Sequence, residues 1–191
     1  HSSNVTGTIQ NVEAITELAH KNSILVLIDG SQSSGNFNID LDKINTDIFC
    51  FTGHKSLYGI PGTGGIIFKK SIPLTPFKHG GTGTKGYLTE QPEDFPIKYE
   101  SGTMNIPGIY ALETGIKWIF DIGLENIINK KKELINYAYY ELSKIENVIF
   151  YYNKAKSSGS LLSFNFNGIS AEEINYILAN SFDISIRSGI H

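Results

Sequence analysis

Ile24-Leu25-Val26-Leu27-Ile28-Asp29-Gly30-Ser31-Gln32 is the stretch that decides how this chain folds. Five apolar residues in succession, with no polar alternation, spell a strand buried on both faces of a parallel sheet. The run stops at Asp29-Gly30, where the backbone has to leave the sheet. Ile48-Phe49-Cys50-Phe51 repeats the pattern and stops at Thr52-Gly53-His54-Lys55, a βαβ step further on. Gly64 to Phe68 supplies a third short strand. Open α/β sheets bind ligands in the crevice beyond the carboxyl ends of their strands, so the polar residues after the first two runs are where chemistry is expected.

Working outward, Val12, Ile15, Leu18 and Ala19 recur at helical spacing ahead of the first strand, and that helix fades at His20 to Ser23. From Phe77 to Met104 the chain is rich in Gly, Thr and Pro and has too little periodicity for a long element, which reads as a functional loop. Helical spacing resumes at Ile109, Leu112, Ile116, Ile119 and Phe120. A longer helix carries Leu124, Ile127, Ile128, Ile135, Ala138, Leu142 and Ile145. Beyond it, Val148 to Tyr151, Leu161 to Phe166 and Ile184 to Arg187 have strand character, and Ser170-Ala171-Glu172-Glu173 is a capping box ahead of Ile174, Ile177 and Leu178. The expected organisation is a ligand-binding unit over residues 1–120, followed by a linking helix and a second, α+β unit over 121–191.

Composition limits the function classes. The chain has 191 residues, 40% of them hydrophobic and 18% charged, which is enough for a packed core and argues against disorder. A net charge of -3 gives no general pull toward nucleic acid or an anionic membrane, so neither is expected as a partner. The single cysteine, Cys50, cannot form an internal disulfide and lies between two phenylalanines, where it reads as a small buried hydrophobe. No Cys/His spacing suits a metal, and no apolar run approaches the roughly 20 residues needed to span a bilayer. His1-Ser2-Ser3-Asn4 lacks the regions of a signal peptide. A soluble, cytoplasmic protein is expected, and the abrupt ends read as those of a fragment. Lys130-Lys131-Lys132 reads as a solvated helix face, and Tyr137, Tyr139 and Tyr140 as packing and surface residues.

A carboxylate and a lysine at adjacent strand ends suit a cofactor that needs an anion at one edge and an amine at its reactive carbon. Pyridoxal 5'-phosphate is such a cofactor. A carboxylate at its pyridine nitrogen favours the protonated, electron-withdrawing form, and Asp29 can supply it. The tethering amine must return to catalysis as a base, and Lys55 can do that. Thr52, His54 and the run His79-Gly80-Gly81-Thr82-Gly83 offer hydroxyl, imidazole and backbone N–H groups to the phosphate. Each feature also has a plain reading: Asp29 as a turn residue, Lys55 as a solvated lysine, and the glycine run as a flexible turn.

Taken together, Asn4 in His1-Ser2-Ser3-Asn4-Val5-Thr6-Gly7, Asp29 and Gln32 in Asp29-Gly30-Ser31-Gln32-Ser33, Thr52-Gly53-His54-Lys55-Ser56-Leu57-Tyr58-Gly59, Glu100-Ser101-Gly102-Thr103 and Arg187-Ser188-Gly189-Ile190-His191 make a register that resembles a known family. It is that of the class V aminotransferases of fold type I, in particular cysteine desulfurases and selenocysteine lyases. The resemblance implies an α/β fold: part of the large domain of a fold type I pyridoxal-phosphate enzyme, mostly parallel sheet with helices, plus an incomplete α+β C-terminal small domain. It implies that Lys55 is the Schiff-base lysine and Asp29 the pyridinium partner, with Asn4 and Gln32 near the ring hydroxyl. Thr52 and His54 would hold the phosphate from the same subunit. Thr103 and the Gly80-Gly81-Thr82 segment would reach that of a neighbouring subunit, so a homodimer with shared active sites is implied. Arg187 would take the substrate's carboxylate, and a persulfide-forming cysteine would stand at the position directly after His191.

The reaction so implied is conversion of L-cysteine to L-alanine with sulfur passed to an enzyme cysteine and on to an acceptor protein. The same holding residues would serve an aminotransferase, an epimerase or a selenocysteine lyase. A fragment without functional cofactor would instead be a non-catalytic module.

Overall fold

A computed structural model describes residues 1–157 and 159–189. Helix α1 (Val12–Lys21) starts where the Asn11 side chain accepts a hydrogen bond from the Ala14 N–H, and a one-turn helix α2 (Leu41–Ile44) starts on Asp40 in the same way. Between them lies strand β1 (Leu27–Asp29), and after them come β2 (Ile48–Thr52) and β3 (Gly64–Phe68). The sheet order is β1-β2-β3. β1 and β2 are parallel, with Asp29 opposite Cys50, whereas β3 returns antiparallel, with Gly64 opposite Thr52. A sheet that is mostly parallel was expected; here one of its two pairings is antiparallel, because a short connection returns the chain directly alongside β2.

The first strand is also shorter and less covered than its sequence suggests. Ile24 and Leu25 lie outside the ladder, and Leu27 is 59% exposed while Ile28 is 4% exposed. Only one face is packed: Ile28 and Phe49 meet Val12 of α1 and Ile44 of α2, with Val26, Ile39, Leu41 and Phe51 around them. Burying each of those two large side chains stabilises the sheet by about 2 kcal/mol. The expectation of a strand buried on both faces is therefore corrected for this chain: α1 and α2 cover a single face.

Helix α3 (Ile106–Ile122) is capped by Asn105, whose side chain accepts from the Gly108 N–H, and it ends at Gly123, which takes a positive φ of 87°. Helix α4 (Leu124–Leu142) begins immediately and packs on α3. Strands β4 (Val148–Phe150) and β5 (Phe164–Phe166) pair antiparallel, and Tyr139 of α4 lies with its ring 4.6 Å from that of Phe150. Helix α5 (Ala171–Phe182) opens on Ser170, whose hydroxyl accepts from the Glu173 N–H, as the capping box predicts. Ile184 to Arg187, expected as a strand, is not one. Asp183 turns the chain with φ 54°, the Ile184 N–H bonds back to the Leu178 carbonyl, and among the described residues no strand pairs with this segment.

Residues 1–9 link the end of β1 to the segment between β4 and β5. The backbone nitrogen of His1 donates to the Asp29 carbonyl at 2.9 Å. The Ile9 N–H donates to Lys156 at 2.7 Å, beside a bridge from Thr8 to Ser157. The Phe77 to Met104 segment contains one short 3-10 turn, Ile97–Tyr99. It is fastened to β3 by edge contacts of Phe68 with Phe95 and Tyr99.

Candidate cofactor site

The parallel register of β1 and β2 brings two polar strand ends side by side. Gly30 N–H donates to the Cys50 carbonyl at 2.7 Å, so β1 leaves the sheet while β2 runs on to Thr52. Glycine is required at 30, because a Cβ there would sit 2.0 Å from the Phe49 ring. Asp29 points outward and is exposed. Hydrogen bonds from Ser31, side chain first and backbone N–H second at 2.8 Å, hold its carboxyl below the usual range, and the charges of the His1 amino group and, last, of Lys55 add to the effect. Burial, and then the negative charge of Asp29, push the Cys50 thiol up, which suits a packing role and not a thiolate nucleophile.

After β2, Thr52 Oγ1 and His54 Nδ1 lie 2.8 Å apart, and the exposed Lys55 follows. The chain then turns back tightly: Tyr58 N–H donates to the Lys55 carbonyl, Gly59 N–H to that of Gly53, and Tyr58 takes φ 58°. Asp29, Thr52, His54 and Lys55 thus stand at or just beyond the carboxyl ends of the adjacent strands β1 and β2. Gln32 lies in the adjoining turn and lines a polar cavity of about 190 Å³ with Ser2, Ser3, Asn36 and Ser56.

The other expected residues fall into two further groups. Asn4 and Arg187 line a cavity of about 560 Å³ bounded by α4, β5 and α5, so a residue of the N-terminal turn and one near the far end of the chain come to one place. Gly81 and Thr82 line a separate hollow of about 550 Å³ within their own loop. Thr103 joins that loop through the neighbouring Gly102 N–H, which donates to Gly81 at 2.7 Å. Among the described residues, no hydrogen bond links this third group to Thr52, His54 or Lys55. Ile190 and His191 of the last motif lie outside the described residues.

Three residues at this edge escaped the sequence reading. Asn36, 5% exposed, accepts from Ser56 Oγ at 2.8 Å and from Lys131 Nζ at 2.7 Å. Lys131 is therefore not part of a solvated face: it is half-buried, and desolvation lowers its pKa, while Lys130 and Lys132 are exposed. The signal was present in the helical period, since Lys131 stands three and four residues after Ile128 and Ile127, which are both buried. Among the described residues there is no cluster of three or more His, Cys, Asp or Glu side chains that could hold a metal, and no helix long and apolar enough to cross a membrane.

The sequence assigns this sheet edge to a family. It matches the aminotransferase class-V family over residues 1–191, and the chain belongs to that family. Curated relatives include a cysteine desulfurase of Haloferax volcanii, 31% identical over 100% of this chain and 45% of its own length. A probable cysteine desulfurase of Halalkalibacterium halodurans is 34% identical over 100% of this chain and 47% of its own. The chain thus spans about half the length of the curated relatives it matches. The crystal structure of the Escherichia coli cysteine desulfurase CsdA superposes with a TM-score of 0.88 at 26% identity, over 97% of this chain and 46% of that one. The apo cysteine desulfurase of Thermococcus onnurineus gives 0.80 at 29% identity, over 99% and 48%.

Proposed function

We propose that this chain carries the cofactor-holding part of a pyridoxal-phosphate enzyme that takes sulfur from L-cysteine and leaves L-alanine. The observation that supports the reading is the placement of Asp29 at the end of β1, with Thr52 ending the adjacent parallel β2 and His54 and Lys55 following directly after it. The donor set fits the cofactor: one anion, one amine and a hydroxyl–imidazole pair, with Asp29, His54 and Lys55 exposed to receive it.

When bound, the cofactor supplies a protonated ring that draws negative charge away from the substrate carbon. Asp29, already held ionised, would keep the ring nitrogen protonated. Lys55 Nζ would hold the cofactor at its reactive carbon and then carry a proton to and from the substrate. Thr52 Oγ1 and His54 would donate to the phosphate, with Asn4 and Gln32 close to the ring's hydroxyl edge. Arg187 would pair with the amino acid's carboxylate. Residues 1–120 would thus hold the cofactor, and 121–191 would form the linking helix and part of a small domain. Gly81, Thr82 and Thr103, grouped away from Lys55, would serve the phosphate of a second subunit in a homodimer. A thiolate from the position after His191 would take the sulfur and pass it to an acceptor protein, in the cytoplasm.

Incubation with pyridoxal phosphate, reduction with borohydride and peptide mass analysis test the reading. The expected result is an adduct on Lys55. An unmodified Lys55, or an adduct spread over surface lysines, removes it. Release of alanine and sulfide, in preference to a keto acid, tests the desulfurase branch against an aminotransferase.

A further inference from the structure

Asn36 sits at the junction of two loops that the proposed site needs. Its backbone N–H donates to Ser33 and its side-chain amide to the Gln32 carbonyl, which closes the turn after β1. Its carbonyl oxygen faces the other way and accepts from Ser56, the residue next to Lys55. The loops also touch through their backbones: Gly35 has φ +77°, and a Cβ there would lie 2.1 Å from the Ser56 carbonyl oxygen. Into this junction comes a third group from a distant element. Lys131 Nζ donates to the same Asn36 oxygen at 2.7 Å and lies 5.8 Å from the centre of the Tyr58 ring, in the turn that follows Lys55.

We propose that Lys131 is a positioning residue: its ammonium reaches from α4 through the Asn36 amide to hold the Gln32 and Lys55 loops in one geometry, and so sets how tightly pyridoxal phosphate is held. The proposal rests on the cofactor reading above. The physical argument is that a half-buried ammonium gives a stronger hydrogen bond than a neutral donor, and two donors on one carbonyl oxygen fix which way the Asn36 amide points. With the ammonium removed, Asn36 keeps only Ser56 on that side, and the two loops lose their common anchor to α4. Ile127 and Ile128, buried one turn earlier, hold the helix in place whatever stands at 131.

The test is cofactor affinity in the full chain. Lys131→Met keeps the side chain's length and loses the donor; the dissociation constant for pyridoxal phosphate should rise about tenfold, the scale of a lost charged hydrogen bond. Lys131→Arg, which keeps a cation able to reach Asn36, should restore affinity to within about threefold. Ser56→Ala should weaken binding in the same direction, and the double variant by less than the product of the two, because both act on one oxygen. A Lys131→Met protein that melts earlier yet binds the cofactor with unchanged affinity overturns the proposal. Should Lys131→Met fail to fold, unchanged affinity in Ser56→Ala overturns it equally. Borohydride trapping of the unaltered chain separates the failures: no adduct on Lys55 defeats the cofactor reading itself, whereas a normal adduct beside an indifferent Lys131→Met defeats only this inference.

Discussion

Asp29 and Asp47 stand at opposite ends of the same two strands and live in opposite circumstances. Asp47, just before β2, has a side chain 6% exposed and is surrounded by donors. It accepts from His20 at 2.8 Å, from the Val26 N–H at 2.7 Å and from Lys69 at 3.0 Å, and Lys69 also holds Asn45. Burial alone would raise its pKa, but those donors outweigh it and bring it down to about 2. Asp29, just where β1 ends, is exposed, and among the described residues its carboxylate has only Ser31 for a hydrogen-bonding neighbour. The contrast separates two uses of a carboxylate. One has its acceptor sites filled by the protein and fastens α1, β2 and β3 together; the other stays ionised and open, which is the condition for receiving a ligand.

The sharpest way to break this comparison is to remove each acid in turn. Asp47→Ala should cost about 3 kcal/mol in urea denaturation, because it strands the part-buried Val26 N–H and removes the buried acceptor that His20 and Lys69 share. A loss of a few tenths would mean that the cluster is ornamental. The pH dependence gives the sign independently. Asp47 has a folded value of about 2 against an ordinary 3.8, so its contribution is complete above about pH 4 and lost as the pH falls toward 2. Acid titration of stability should therefore steepen in that range and flatten in Asp47→Ala; parallel curves would contradict the assignment. The smallest expected effect on stability is that of Asp29→Asn, within about 0.5 kcal/mol, as for other exposed polar substitutions. The same variant should weaken retention of pyridoxal phosphate, and a variant that loses stability while keeping the cofactor would invert the roles given to the two acids.

Much of the site was legible because it is written in contiguous motifs. Asp29-Gly30 and Thr52-Gly53-His54-Lys55 each follow an apolar run, and strand ends at the carboxyl edge are where an α/β sheet exposes its chemistry. Asn4 and Arg187 could be named from the family pattern, but their meeting in one cavity depends on residues 1–9 docking against Lys156 and Ser157. Ile184 to Arg187 misled because an apolar alternation states a preference for a strand, whereas a strand exists only where a neighbour offers its hydrogen bonds. Lys131 misled for a related reason: three consecutive lysines look solvated as a run, although successive helix positions point in different directions.

By itself, then, the sequence determined the order of the main helices and of the strands as far as β5, the capping of α5, and the identities of the groups at the strand ends, because these depend on neighbours a few positions away. Tertiary structure alone decided which face of β1 is covered, that β3 returns antiparallel, that Asp47 is caged while Asp29 is open, and that Lys131 reaches Asn36. Each of those depends on contacts between residues a dozen or more positions apart, such as Thr52 with Gly64, Asp47 with Val26 and Lys131 with Asn36. Local propensity says nothing about such contacts, and only the packed chain brings them within hydrogen-bonding distance.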